Sequence, residues 1–128
     1  MSLDENSFSI FLDTIKKFVD NKLIPREEEV AETNSIPEDI VEEMKNIGLF
    51  GISIPTEYGG SNLSMEQEVK LTFELGRASP AFRSMAGTNI GIGSQTIVMS
   101  GTDEQKQRYL PKFSTGEIIG SFALTEPD

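Results

Sequence analysis

Not one residue from Ser84 to Gly101 is charged, in a chain whose composition is 25% charged overall. Such a stretch has few places to go. A membrane span needs about 20 predominantly apolar residues. This run is shorter than that, and it mixes Gly, Ser, Thr, Asn and Gln with Met85, Ile90, Ile92, Ile97, Val98 and Met99. Inserting those polar groups into lipid is costly. The alternative is a helix surrounded by other helices, where charge is excluded and Gly87, Gly91 and Gly93 permit close backbone approach. The sequence therefore predicts a buried central helix.

The flanking segments supply the helices to surround it. From Phe8 to Val19 the apolar residues Phe8, Phe11, Leu12, Ile15, Phe18 and Val19 recur at helical spacing and form one face. Pro25 is expected to break or kink that helix, and Glu27, Glu28 and Glu29 read as solvated surface. A second helix is expected to start near Pro37. Ser35 and Glu38 are spaced as a capping box, Ile40, Val41, Met44 and Ile47 form its stripe, and Gly48 ends it. Leu49 to Gly60 has no helical period and closes in Gly-Gly, which indicates an extended connector and a turn.

Ser64 and Gln67 cap a third helix. Met65, Val69, Thr72, Phe73 and Gly76 lie along one of its sides and Leu71 and Leu75 along another, so burial on more than one face is expected. Thr102 and Gln105 cap a helix with Tyr109, Leu110 and Phe113 inward, which Pro111 should kink or end and from which Gly116 releases the chain. The last segment, Ile118 to Thr125, reads as a strand bounded by Glu126-Pro127-Asp128. An apolar strand without a partner exposes an unpaired edge, so its neighbours are expected to lie outside this sequence.

The expected architecture is all-α: an up-and-down bundle of about five to six helices over residues 1–117, followed by a short strand in residues 118–128 that would start a β-domain. With 11 basic and 21 acidic residues the net charge of −10 opposes binding to nucleic acid or to an anionic membrane surface. There is no Cys and no His, which removes thiolate metal sites and the commonest general base. The N-terminus has no basic region leading into an apolar one, and a cytoplasmic setting is expected.

No catalytic constellation emerges. Gly91-Ile92-Gly93 fails as a dinucleotide fingerprint because Thr96 stands where a third Gly is required and no strand precedes it. The carboxylate pairs Glu28 with Glu32 and Glu38 with Glu42 lie on charged helix faces. Arg77 and Arg83, on either side of Pro80, suit a phosphate or an acidic neighbour, and the neighbour is the simpler account.

Three segments carry a resemblance. They are Gly48-Leu49-Phe50-Gly51-Ile52 through Ile54-Pro55-Thr56-Glu57-Tyr58-Gly59-Gly60, then Gly101-Thr102-Asp103-Glu104-Gln105-Lys106-Gln107-Arg108-Tyr109-Leu110-Pro111, and then Phe122-Ala123-Leu124-Thr125-Glu126-Pro127. In that order, with capped helices between them, they resemble the N-terminal region of the acyl-CoA dehydrogenase family. The resemblance implies a longer protein with a middle β-domain and a C-terminal four-helix domain, assembled as a homotetramer around FAD. It implies oxidation of an acyl-CoA thioester to the trans-2-enoyl product, with electrons passing to an electron-transferring flavoprotein.

Carried over residue by residue, Phe122, Leu124 and Thr125 match the family strand beside the flavin ring, and Met85, Thr88 and Ile92 match the helix that lines the acyl pocket. The family's catalytic Glu belongs to the C-terminal domain, so no residue here corresponds to it and the chain alone is expected to be inactive. Acyl-CoA oxidases and two-component flavin monooxygenases share this architecture and remain alternatives, as does a helical interaction module with no cofactor.

Overall fold

The computed structural model describes residues 3–127. It is all-α, with five helical runs among the described residues. Helix α1 (Glu5–Phe18) continues through a π-helical turn (Val19–Leu23) and a 3-10 turn (Ile24–Arg26) into α2 (Glu27–Thr33). Helices α3 (Glu38–Ile47) and α4 (Met65–Leu75) follow. Helix α5 (Pro80–Thr88) runs through a second π-helical turn (Asn89–Gly93) into α6 (Ser94–Ser100), and α7 (Asp103–Thr115) closes the bundle.

Pro25 does not end the first helix. Having no N–H, it cannot donate to an i−4 carbonyl, and the chain changes hydrogen-bond pattern around it instead. The Ile24 N–H reaches back to the Val19 carbonyl and the Glu27 N–H to that of Ile24. The acidic run beyond is therefore helical, while Glu28 and Glu29 are exposed as expected. Arg26 ties this turn to α3 by donating to both carboxylate oxygens of Glu29 and, at 2.7 Å, to Asp39.

The expected cap at Ser35 is absent. Asn34 turns the chain in the left-handed region (φ 53°) and extended Pro37 becomes the residue before α3, so exposed Ser35 sits too far upstream to reach the first-turn N–H groups. The boxes at Ser64 with Gln67 and Thr102 with Gln105 form in both directions, side chain to backbone and back. Pro111 lies inside α7 without ending it, and Gly116 (φ 74°) releases the chain as expected.

The core joins Ile15, Phe18 and Val19 of the first run, Ile40 and Met44 of α3, Leu71 and Leu75 of α4, and Phe82 and Ala86 of α5 around buried Leu49, Phe50 and Ile52 of the connector. A smaller cluster of Ile54, Leu110 and Phe113 seats α7. Two expectations of burial are overturned. The Met65 side of α4 faces outward, with Met65 at 74% and Phe73 at 75% exposure. The central helix buries only the side bearing Phe82, Ala86, Asn89 and Ser94, while Ser84, Gly91, Ile92, Thr96 and Met99 are exposed. Its glycines also differ. A side chain at Gly91 would meet open space, whereas Gly93 packs against Gly120 and Phe113.

The expected strand is not formed. Residues 118–127 hold no ladder, because a strand exists only by pairing and no second strand is present among the described residues.

Replacing fully buried Phe82 by Ala should destabilise the chain by about 3–5 kcal/mol, and Thr102→Ala should cost about 1 kcal/mol through the lost cap, both read from urea unfolding. Two surface carboxylates and one half-buried one should respond oppositely to pH. The Arg26 guanidinium holds Glu29 and Asp39 below the ordinary carboxylate range. Their contribution is therefore present above the unfolded-state values of about 4 and is lost as the pH falls through the lowered ones. Burial between α4 and α5 raises the Glu68 carboxyl, so its stabilising balance holds below about pH 4 and is lost as the pH rises through the raised value. Arg26→Met should accordingly be less stable than wild type at pH 7 and converge with it in acid. Glu68→Gln should match wild type in acid and exceed it at pH 7.

Candidate flavin and acyl-chain face

The uncharged run that most constrains the sequence forms one open face of the bundle. On the run α5 to α6, the side opposite the core presents Ser84, Thr88, Gly91, Ile92 and Thr96, all uncharged and all at least partly exposed. Thr96 turns its hydroxyl back onto the Ile92 carbonyl at 3.0 Å, which leaves the Ile92 side chain, 53% exposed, as the apolar projection of this face. Of the pocket residues read from the sequence, Thr88 and Ile92 lie on this open side. Met85 is half-buried against the main core, so it belongs as much to the packing as to the face.

Two polar contacts fix the helix onto the connector beneath it. The Ser53 hydroxyl donates to the Ile90 carbonyl at 2.8 Å, and the Gln95 amide donates to the Ser53 carbonyl at 3.1 Å. The first acts at the π-turn, where the wider hydrogen-bond spacing leaves the Ile90 carbonyl free to accept a side chain, and the second acts from the first turn of α6. The Ser94 hydroxyl also reaches the Ile90 carbonyl at 3.2 Å.

Asn89 escaped the sequence reading. It is fully buried, its side-chain amide donates to the Phe113 carbonyl at 3.2 Å, and its side-chain oxygen accepts the Gly120 N–H at 2.8 Å. The available signal was an Asn in a run with no charge, since a buried amide must find partners. The contact holds the departing chain against the π-turn, and a side chain at Gly120 would force a shift there, because a Cβ would come within 2.6 Å of the Phe113 ring.

Phe122 and Leu124 are 53% and 71% exposed, Thr125 is exposed, and among the described residues no hydrogen bond engages the main chain of residues 121–127. A segment with unengaged N–H and C=O groups, flanking aromatic and aliphatic side chains and a Thr hydroxyl suits the edge of a planar heteroaromatic ring that both donates and accepts hydrogen bonds. In that respect the residues fit a flavin. The structure brings the base of this segment, at Gly120, to the π-turn that carries Ile92. It does not bring Phe122, Leu124 and Thr125 into contact with Met85, Thr88 and Ile92.

The two arginines flanking Pro80 separate. Arg77 donates to Asp20 and, at 3.0 Å, to Glu74, which makes it a structural clamp between α4 and the first helical run. The Arg83 guanidinium end lies along α5 over Gly87.

The chain's relationships agree with this geometry. The family model described as "Acyl-CoA dehydrogenase, N-terminal domain" matches residues 7–117. Mitochondrial isovaleryl-CoA dehydrogenase of Pongo abelii is 33% identical over 117 residues, which is 90% of this chain and 28% of that protein. The fold superposes on acyl-CoA dehydrogenase complexed with FAD from Bacillus anthracis with a TM-score of 0.84 and 32% identity, over 97% of this chain and 21% of that one. It also superposes on a chain in the structure of the electron transferring flavoprotein of Acidaminococcus fermentans, with a TM-score of 0.85 and 30% identity, over 99% of this chain and 33% of that one. This chain thus spans less than a third of the length of the curated relative. A match through nearly the whole helical bundle, at this level of identity, places the chain in the acyl-CoA dehydrogenase family, over the part of its members that forms the N-terminal domain.

Proposed function

We propose that the chain serves as the N-terminal domain, residues 1–117, of an FAD-dependent dehydrogenase that oxidises acyl-CoA thioesters to trans-2-enoyl-CoA, with residues 118–128 leading into a middle β-domain. The observation that carries this reading is the pairing of an uncharged, open helix face with a departing segment whose main-chain groups are unengaged. A bound flavin would supply the acceptor for the β-hydride, and the α-proton would go to a carboxylate outside these residues.

This chain's residues act by binding and orientation. Thr88 and Ile92 offer the alkyl chain a wall without charge, where each CH2 removed from water contributes about 0.8 kcal/mol. Met85, at the edge of the core, backs that wall. The N–H groups of the segment Phe122–Thr125 and the Thr125 hydroxyl would hold the edge of a bound flavin, and as donors there they would favour negative charge on it. The protein works in the cytoplasm, as a homotetramer, and an electron-transferring flavoprotein takes up the electrons.

Because the proton-accepting carboxylate is not among these residues, the 128-residue chain should not turn over acyl-CoA and should retain FAD weakly or not at all. Grafted in place of the matching domain of the Bacillus anthracis enzyme, residues 7–117 should give a yellow protein that oxidises acyl-CoA. Ile92→Asp in that chimera should raise KM at least about tenfold through the charge placed against the alkyl chain. Turnover by the isolated chain, a folded but colourless chimera, or an Ile92→Asp variant with unchanged KM would each sink the reading.

A further inference from the structure

We propose that Asn89 is a positioning residue, whose side-chain amide clasps the departing chain at Gly120 and so sets where the segment Phe122–Thr125 lies relative to the open helix face. The flavin-binding role of that segment rests on the function proposed above; the clasp itself does not.

Asn89 is the first residue of the π-turn, and its carbonyl accepts the N–H of Ser94, five residues on. This wide turn places both Asn89 and Ser94 in the interior while Ile92, between them, stays open to solvent. The orientation of the amide follows from its partners. The Gly120 N–H can only donate and the Phe113 carbonyl can only accept, so the side-chain oxygen faces Gly120 and the nitrogen faces Phe113. One side chain therefore joins the π-turn, α7 and the exit segment.

The Phe113 carbonyl also accepts the Gly116 N–H, at 3.1 Å, whereas among the described residues the Gly120 N–H has only Asn89. Loss of the amide consequently falls on Gly120. Gly120 also lies close to Gly93 and the Phe113 ring, an approach that depends on its having no side chain. Ile118 is held by its N–H to the Lys112 carbonyl at 3.1 Å, and after Gly120 no further hydrogen bond fixes the main chain among the described residues. Asn89 thus acts at the last anchored residue before the segment proposed to meet the flavin.

The test is amide hydrogen exchange measured by NMR on the 128-residue chain, comparing Gly120 with Ile15 and Leu71 in the fully buried core. Asn89→Leu, which keeps the bulk and loses both hydrogen bonds, should accelerate exchange at Gly120 about tenfold or more while leaving the two core amides within about twofold. Gly120→Ala, which leaves Asn89 intact, should release the same exit segment as seen at Ile119 and Ser121. Equal acceleration at all sites would make Asn89 merely a stabilising residue and overturn the proposal, as would an unchanged Gly120.

Should Asn89→Leu fail to fold, Asn89→Asp and Asn89→Ala supply a second route. An Asp oxygen can still accept from the Gly120 N–H, whereas Ala has no acceptor, so Gly120, corrected for intrinsic exchange and referred to Ile15 and Leu71, should be better protected in Asn89→Asp than in Asn89→Ala. Equal protection of Gly120 in the two variants would refute the clasp. None of these measurements involves FAD, so a chimera that fails to hold flavin while Gly120 behaves as expected would overturn the proposed function and leave the positioning role in place.

Discussion

A buried connector is the constraint on which the bundle depends. Leu49, Phe50, Ile52, Ile54 and Leu63 are all interior, so the irregular chain between α3 and α4 runs through the core rather than over the surface. Irregular backbone there must satisfy its own N–H and C=O groups. It does so by folding back on itself: Ser61 donates to the Gly51 carbonyl, Asn62 to that of Ile54 and Leu63 to that of Ile52. The doubling is possible only because Gly60 has no side chain, since a Cβ at that position would lie 2.0 Å from the Ile54 oxygen. The remaining surface of the loop then becomes a template. Gly51 presses against Ser114 of α7, and Ser53 both donates to and accepts from the central helix.

This arrangement explains why the central helix contains a π-turn where it does. A regular α-helix engages each carbonyl with the N–H four residues on, which would leave less room at Ile90 for an outside donor. Widening the turn over Asn89–Gly93 exposes the Ile90 carbonyl to both Ser53 and Ser94. The same widening brings Gly93 to Gly120. Packing of the helix and placement of the exit segment are thus consequences of one local change in hydrogen-bond spacing.

What was legible in the sequence was local chemistry whose partners lie within a few residues. The boxes at Ser64 with Gln67 and at Thr102 with Gln105 close over three positions, and Gly48 and Gly116 adopt the left-handed geometry that ends a helix. The box at Ser35 failed because the left-handed Asn34 and the extended Pro37 moved the helix start, which spacing alone does not reveal. Periodicity identified the apolar side of α4 carrying Met65, Val69 and Phe73, but it reports only that a face is apolar and not whether anything covers it. The segment from Ile118 holds no ladder among the described residues, since a strand forms only by pairing with residues distant in sequence. The π-turns escaped because one extra residue in a turn leaves the spacing of apolar positions nearly intact. Asn89 was visible as a polar residue in an uncharged run, whereas its partners in α7 and the exit segment, 24 and 31 residues away, were not.

The distribution of charge completes the picture. Ion pairs stud the first helical run, α3 and the outer side of α4, with Lys17 to Asp13, Arg26 to Asp39, Lys45 to Glu42 and Lys70 to Glu66, all on exposed surface. Such pairs add little stability individually, but they keep those faces solvated. The central helix is treated differently. Even its solvent side has no charge from Ser84 to Ser100, although nothing in the packing of the chain demands this, since Ser84, Gly91, Ile92, Thr96 and Met99 touch open solvent. A charge at any of them would be harmless to a bundle that ended its role as a folded unit. Its exclusion makes physical sense for a face that is itself covered, where desolvating a charge would be costly. The uncharged run thus serves the core on one side only, through Phe82, Ala86, Asn89 and Ser94, and leaves its other side open.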